Sequence, residues 1–157
     1  MSIIDVEPVS EPVILRLVGR SAGETLRNVV LRSKDTAWLA DCDMDSDHFH
    51  VAASCGRDVI STASFMRENL EDIIAQEAGM HWRLRAIATE PLYRSQGIGG
   101  RVLEFGIAEI MKRGGALVWC NGRVSAEGFY RRHGFEPFGP AFENPGTGLH
   151  LRFVRRI

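Results

Sequence analysis

The most informative stretch of the chain, residues 84–113, reads LRAIATEPLYRSQGIGGRVLEFGIAEIMKR. The segment up to Thr89 is short, mostly apolar and followed closely by a proline, which predicts a β-strand. From Ile98 onward, apolar side chains recur at helical spacing opposite charged ones, which predicts an amphipathic helix that ends at Gly114-Gly115. Between the two, the loop at residues 94–100 contains three glycines. The stretch therefore predicts a strand, a glycine-rich loop and a helix in succession.

A loop of this kind can hold a phosphate group. The N–H groups of the loop and of the first helical turn have no partner within the helix, and the helix dipole adds partial positive charge. Glycines let a phosphate approach the backbone closely, and Arg94 and Arg101 add full positive charges. Glycine also serves in ordinary strand-to-helix turns for its conformational freedom. The glycines alone therefore leave both interpretations open.

Two common nucleotide-binding signatures do not match this loop. The G-x-x-x-x-G-K-(S/T) phosphate loop requires a lysine and a hydroxyl residue that are absent here. The dinucleotide fingerprint requires a third glycine three residues after Gly99, where the chain has Val102. Both mismatches disfavour a nucleotide-binding protein.

The rest of the chain alternates predicted strands and helices. Short apolar runs bounded by turn residues predict strands at residues 13–17, 48–54, 58–66, 81–89, 116–120, 135–142 and 148–154. Helical spacing predicts further helices at residues 25–32 and 124–133. Because no repeat or long linker divides the chain, we expect one domain over residues 1–157. The pattern predicts an α/β fold of the α+β type, a mixed sheet with helices on its faces.

Composition limits the classes of function. The 19 basic residues are balanced by 20 acidic ones, so we expect no nucleic-acid partner. No stretch approaches the roughly 20 apolar residues of a membrane helix, and the first residues lack a signal-peptide pattern. We therefore expect a cytoplasmic protein without membrane contact. The three cysteines are odd in number and lack metal-binding spacing, which favours reduced thiols.

The sequence predicts no metal site. The acidic run at residues 41–47 is similar to the start of a calcium loop, but its sixth position is Ser46 instead of glycine and its twelfth is Ala52 instead of glutamate. His48 and His50 share one face of a predicted strand, but no third ligand has suitable spacing. We therefore expect hydrogen-bonding roles for the two histidines.

The glycine-rich loop and its surroundings resemble the coenzyme A site of the GNAT superfamily of N-acetyltransferases. The family pattern (R/Q)-x-x-G-x-(G/A) is matched by RSQGIG at residues 94–99, after the lead-in EPLYR at residues 90–94. Further along, Asn121 and Ala126 precede FYRRHGF at residues 129–135, which is similar to the family's A-x-x-F-Y-x-x-x-G-F element. The resemblance covers the chain from about Trp82 to its C-terminus.

This resemblance implies a central mixed, mostly antiparallel sheet in which the strand ending near Thr89 splays from its neighbour at the coenzyme site. It implies that acetyl-CoA is the cosubstrate and that an amine attacks the thioester directly, without an acyl-enzyme. It also implies a set of coenzyme-binding residues, namely the backbone of Ile87 and Ala88, and Arg94, Ser95, Gln96, Gly97, Ile98, Gly99, Gly100, Arg101, Asn121 and Ala126.

Tyr130 stands at the family's usual tyrosine and is the candidate acid that protonates the departing thiolate. The alternative interpretation is an aromatic core residue. His150, Glu143 and Glu90 are candidates for the base by chain position, and a water chain could serve instead. The base is therefore left unassigned.

The function that follows is acetyl transfer to a small-molecule or protein amine acceptor. The alternative function is a CoA-binding module without turnover, serving as a sensor or partner subunit. The presence of Tyr130 favours the enzyme. Whether the chain forms a homodimer is left open.

Overall fold

The computed structural model describes residues 11–31, 47–73 and 77–157. Its elements in chain order are β1 (Val13–Val18), α1 (Glu24–Leu31), β2 (His48–Cys55), β3 (Asp58–Arg67), β4 (Met80–Thr89), α2 (Ile98–Lys112), β5 (Gly115–Arg123), α3 (Glu127–Arg132), β6 (Glu136–Asn144) and β7 (Gly148–Arg156). The predicted elements are present, with ends shifted by a few residues. The predicted helix end at Arg32 and most of the acidic run at residues 41–47 lie outside the described residues.

All seven strands form one sheet in the order β1-β2-β3-β4-β5-β7-β6. Neighbouring strands are antiparallel except β4 and β5, which run parallel. A parallel pair needs a crossover connection, and α2 supplies it. The predicted mixed, mostly antiparallel sheet flanked by helices is confirmed.

The β4 and β5 strands separate part of the way along their length. Their pairing runs from Met80 opposite Gly115 to Arg83 opposite Trp119 and then stops. The remainder of β4, residues 84–89, stays paired with β3 on its other side. Within the described part of the chain, one backbone edge of β4 is therefore unpaired from Leu84 onward, which confirms the splayed strand pair expected at the end of β4.

Helix α2 covers one face of the sheet, and its sequence explains why. Its apolar stripe is buried: Ile98, Val102, Leu103, Ile107 and Ile110. Burial of each such side chain contributes about 2 kcal/mol to folding. A Cβ built on Gly106 would lie 2.2 Å from the ring of Phe65, so this glycine lets the helix sit directly on β3. The helix therefore places its N-terminus beside the free end of β4.

Helix α1 packs on the opposite face, against β3 and β4. Just before it, a Cβ built on Gly23 would lie 2.7 Å from the hydroxyl of Thr62. Because successive strand residues point to opposite faces, Thr62 lies on the face away from Ala63 and Phe65, which belong to the core under α2. The end of β4 therefore lies between two helices.

Candidate functional site

A cavity of about 790 Å³ opens where β4 and β5 diverge. Its wall is built from the end of β4, the glycine-rich loop, the first turns of α2, the α3 region and one residue of α1. The lining residues are Val30, Ile87, Ala88, Thr89, Tyr93, Arg94, Ser95, Gly97, Ile98, Gly99, Gly100, Arg101, Glu104, Ala126, Phe129, Arg132 and His133. The predicted strand, loop and helix therefore form one continuous surface.

The loop holds a conformation that turns backbone N–H groups outward. Gly97 has φ +78° and caps α2, and Ser95 also has a positive φ of 61°, which is uncommon for a residue with a side chain. Among the described residues, no backbone acceptor pairs with the N–H groups of Ile98, Gly99 and Gly100. These donors and the helix dipole favour an anion at this end of α2.

Two glycines of the first helical turn have close neighbours. A Cβ on Gly99 would lie 3.1 Å from Oγ1 of Thr89, and a Cβ on Gly100 would lie 2.6 Å from Nε2 of His133. A side chain at either position would push against the cavity wall. The absence of side chains at both positions therefore keeps this part of the cavity open.

The charged groups around the cavity are mostly positive. Arg94, Arg101 and Arg132 line it and are exposed. Glu104 is the acidic residue of the lining, and Arg155 donates to its Oε1 at 2.8 Å while His133 Nδ1 lies 3.1 Å from the same atom. Burial pushes the pKa of Glu104 upward, but these hydrogen bonds outweigh it and hold the pKa below its ordinary value. The carboxylate is therefore charged and already paired. Arg94 also donates from Nε to the carbonyl of Thr89 at 3.3 Å. The net positive charge of the lining favours an anion.

Most of the residues predicted to bind the coenzyme lie together. The cavity lining contains Ile87, Ala88, Arg94, Ser95, Gly97, Ile98, Gly99, Gly100, Arg101 and Ala126. Gln96 is not part of the lining, and its side-chain amide donates to the carbonyl of Leu92 at 3.3 Å. The role of each residue in binding stays a prediction.

Asn121 lies apart from the cavity lining. Its neighbours Cys120 and Gly122 face Tyr130, so the alternation of strand side chains turns Asn121 to the other face. There its Oδ1 accepts a hydrogen bond of 3.3 Å from Nε of Arg152. The structure therefore places Asn121 on the α1 side of the splayed strands, and its assignment to the coenzyme stays a prediction.

Tyr130 is buried beneath the cavity rather than in its wall. Its side chain is 5% exposed and its ring stacks on Phe153 at 4.6 Å between centroids. Burial raises the pKa of the hydroxyl well above its usual value, and the neighbouring Cys120 thiol, its hydrogen-bond partner, adds to the shift. The hydroxyl is therefore protonated at neutral pH and able to donate. These contacts are compatible with Tyr130 as an acid and with Tyr130 as a packed aromatic residue.

The three candidates for the base lie outside the cavity lining. Glu90 caps the turn that begins at Pro91, where its Oε2 accepts from the N–H of Leu92 at 2.7 Å. His150 is buried, with Nδ1 3.0 Å from the carbonyl oxygen of Gly148. Glu143 is exposed on β6. No side chain is assigned as the base by these positions.

Several lining residues were not predicted from the sequence. Tyr93, Phe129, Arg132 and His133 stood inside the quoted motifs, so their spacing could have suggested them. No local sequence pattern marked Val30 as a site residue, because only the packing of α1 against the sheet brings it to the cavity.

The two histidines of β2 lie outside the cavity lining. His50 Nδ1 lies 2.7 Å from the hydroxyl of Ser64, which confirms a hydrogen-bonding role for this histidine. No group of three histidine, cysteine or acidic side chains that could hold a metal occurs in the part of the chain that the structure describes. Among residues 11–31, 47–73 and 77–157, no helix is both long and apolar enough to cross a membrane.

Solved structures of known acetyltransferases share this fold. The ribosomal-protein-S18-alanine N-acetyltransferase of Escherichia coli is 18% identical, with a TM-score of 0.72 over 93% of this chain and 94% of that chain. Arabidopsis thaliana NAA60, solved in complex with acetyl-CoA, is 14% identical, with a TM-score of 0.73 over 93% of this chain and 99% of that chain. Because the sequence identities are this low, the structural similarity establishes the fold alone.

Sequence comparison identifies the family. The chain is 28% identical over 136 residues to an uncharacterized N-acetyltransferase of Bacillus subtilis (strain 168), YitI, and the match covers 84% of this chain and 88% of that relative. The family model of the acetyltransferase (GNAT) domain matches residues 45–137, a span that includes β2 to β5 and the whole glycine-rich loop. The chain therefore belongs to the GNAT acetyltransferase family.

Proposed function

We propose that this protein transfers the acetyl group of acetyl-CoA to an amine by direct attack of the amine on the thioester. The observation that carries the proposal is the cavity that joins the free edge of β4 to the N-terminus of α2. Such a cavity offers unpaired backbone groups at one end, which can hydrogen-bond to the amides of pantetheine. At its other end it offers an anion site for the coenzyme's phosphates.

Different groups of the site would bind different parts of the coenzyme. The N–H groups of Ile98, Gly99 and Gly100 would donate to phosphate oxygens, and the guanidinium groups of Arg94 and Arg101 would add charge-assisted hydrogen bonds. The free edge of β4 at Ile87 and Ala88 would hold the amide groups of the pantetheine arm. This arrangement directs the thioester into the gap between β4 and β5.

The chemistry asked of the protein is modest because a thioester is already activated. The amine nitrogen forms a bond to the acetyl carbon while the carbon–sulfur bond breaks and its electron pair stays on sulfur. Tyr130 would give its hydroxyl proton to the thiolate, and the proton lost by the amine would return to the tyrosine through water or a base. Alignment of the amine supplies much of the remaining rate enhancement.

A CoA-binding module without turnover is the second candidate function. One observation favours it, because the hydroxyl of Tyr130 is buried against Cys120 and the residue does not line the cavity. A module of this kind would bind acetyl-CoA as a signal and leave the thioester intact. Binding and turnover must therefore be measured separately.

The proposal predicts a ligand preference and an activity. Acetyl-CoA should raise the melting temperature of the protein, whereas ATP and NAD at the same concentration should raise it far less. Free thiol should then be released from acetyl-CoA in the presence of at least one class of amine, in a panel of amino acids, polyamines, aminoglycosides and peptides. Stabilisation without thiol release from any amine would favour the non-catalytic module. The lack of any stabilisation by acetyl-CoA would reject both.

The arginines at the loop give a second prediction. Arg94→Ala and Arg101→Ala should each weaken acetyl-CoA binding by about 10-fold to 100-fold if the side chain contacts phosphate, since a charge-assisted hydrogen bond contributes about 1.5–3 kcal/mol. At least one of them should show this loss by calorimetry, and rising salt should weaken wild-type binding. Arg16→Ala is the matched control because Arg16 is exposed on the edge strand β1, which β2 and β3 separate from β4. Wild-type affinity in both loop variants would show that these charges serve solubility alone.

A further inference from the structure

Arg27 on helix α1 is a buried cation with incomplete hydrogen bonding. Its side chain is 4% exposed, and its Nη2 donates to the carbonyl of Arg20 at 2.5 Å. Its Nε and Nη1 atoms are also buried and have no hydrogen-bond partner in the described structure. A buried guanidinium without an anionic partner is rare, because desolvation of the charge costs several kcal/mol. Such a group points to an anion that the described residues, 11–31, 47–73 and 77–157, do not supply.

No carboxylate of the described residues hydrogen-bonds to Nε or Nη1 of Arg27. Burial lowers the pKa of Arg27 from its usual value; Glu24, one turn earlier and exposed, opposes this shift, and Arg20 adds to it. On this side of the sheet, β3 and β4 present the small, uncharged side chains of Thr62, Ser64, Ala86 and Ala88. Farther along the same face lies Arg83, a cation that already pairs with Glu68. The pocket of protein around the guanidinium is therefore short of negative charge.

Helix geometry places Arg27 about one turn before Val30, which lines the cavity. A 3₁₀ turn over Arg20–Gly23 leads directly into α1. Gly23, Arg27 and Val30 follow one another at helical spacing and so lie on one side of this continuous segment. Gly23 contacts Thr62, which is paired with Ala88, and Val30 lines the cavity together with Ala88. With a rise of about 1.5 Å per residue, Arg27 is only about 4.5 Å along the helix axis from Val30. Arg27 itself is not part of the cavity lining, and contact with a ligand there requires its guanidinium to turn from the carbonyl of Arg20 toward Val30.

We propose that Arg27 binds a carboxylate of the acceptor, so that the substrate is an amine that also carries a carboxylate. This inference rests on the proposed acetyl transfer and names its substrate class. Arg27 approaches the end of β4 from the α1 face, whereas the glycine-rich loop and α2 lie on the other face. The acceptor would thus enter on the face opposite the coenzyme's phosphates. Its carboxylate would complete the hydrogen bonds of Nε or Nη1 while its amine reaches the thioester.

The test compares acceptors that differ only in the charge of one group. The first arm compares each free amino acid with its carboxamide. The second arm compares short peptides that carry aspartate or glutamate after the N-terminal residue with peptides that carry asparagine or glutamine there. In one arm or the other, kcat/KM should be about tenfold or more higher for the acid than for its amide. The arm that shows the preference identifies whether the carboxylate belongs to a free amino acid or to a peptide.

Variants of Arg27 then assign the preference to this residue. Arg27→Gln should raise KM for the acid and bring kcat/KM for acid and amide within about threefold of each other, while acetyl-CoA affinity and kcat stay close to wild type. Arg27→Lys, which keeps the charge, should restore part of the preference. Arg16→Gln removes an exposed arginine of β1 and should leave the preference intact. Unchanged acetyl-CoA affinity in each variant shows that it is folded.

Three results would overturn the inference. Equal turnover of acids and amides by the wild-type protein would reject it while leaving acetyl transfer in place. Retention of the acid preference by Arg27→Gln would show that another residue binds the carboxylate. Binding of acetyl-CoA without acetylation of any amine would reject the transferase itself, and the substrate class with it.

Discussion

Gly99→Val is expected to lower the affinity for acetyl-CoA by at least about 100-fold while the protein stays folded. The first carbon of the new side chain would lie 3.1 Å from Oγ1 of Thr89, and the two methyl groups of valine would add bulk toward the cavity. A phosphate held by the neighbouring N–H groups would then lose two or more charge-assisted hydrogen bonds, at about 1.5–3 kcal/mol each. Calorimetric titration with acetyl-CoA measures the loss directly.

The control for this variant is Gly19→Val. Gly19 precedes the first 3₁₀ turn with a φ of −73°, and a Cβ there would meet no atom within 4 Å. The same substitution at Gly19 should therefore leave acetyl-CoA affinity unchanged. Wild-type acetyl-CoA affinity in a folded Gly99→Val protein would show that the loop is not part of the binding site.

Tyr130→Phe is expected to lower kcat by about 100-fold with little change in acetyl-CoA affinity. The ring contacts with Phe153 and Phe135 are kept by phenylalanine, so the substitution removes mainly the hydroxyl. The hydroxyl is proposed to act only when charge develops on sulfur, and its loss should therefore affect turnover more than binding. Steady-state kinetics with an identified acceptor, beside a binding titration, separates the two effects.

The expected size of this effect lies at the lower end of the usual range for general acids. Burial raises the pKa of Tyr130, whereas an ordinary thiol titrates near pH 8.5, so proton transfer to the thiolate runs uphill. Some thiolate can also leave unaided. A Tyr130→Phe protein with wild-type kcat at neutral pH would identify Tyr130 as a packing residue. The acetyltransferase assignment would stand, and the proposed acid would be withdrawn.

Local sequence patterns predicted the helices, the strands and the glycine-rich loop, because these features depend on residues that are close together in the chain. The helix after Ile98 shows its apolar stripe directly, and the loop shows its glycines. The divergence of β4 and β5 was available only through the family resemblance, since nothing in either strand's composition marks the point after Arg83 where pairing stops.

Features that depend on tertiary packing could not be predicted in the same way. Val30 comes to the cavity because α1 packs across β3 and β4, and it belongs to no motif. Arg27, proposed to bind the acceptor, lies outside every motif as well. The family resemblance assigned Asn121 to the coenzyme, and that assignment stays a prediction. The direction of its side chain, toward Arg152, follows from the alternation of β5. The burial of Tyr130 likewise depends on its packing against Gly122 and Phe153, which lie outside its motif.

The most direct test of the central claim follows the acetyl group itself. Acetyl-CoA labelled in the acetyl group would be mixed with the protein and an acceptor amine, and the label would be traced by mass spectrometry during a single turnover. The account predicts that each thiol released is matched by one labelled acetyl group on the amine, with no labelled protein formed on the way. Labelled protein that forms and decays at the rate of turnover would contradict direct attack, and label that reaches no amine would contradict acetyl transfer.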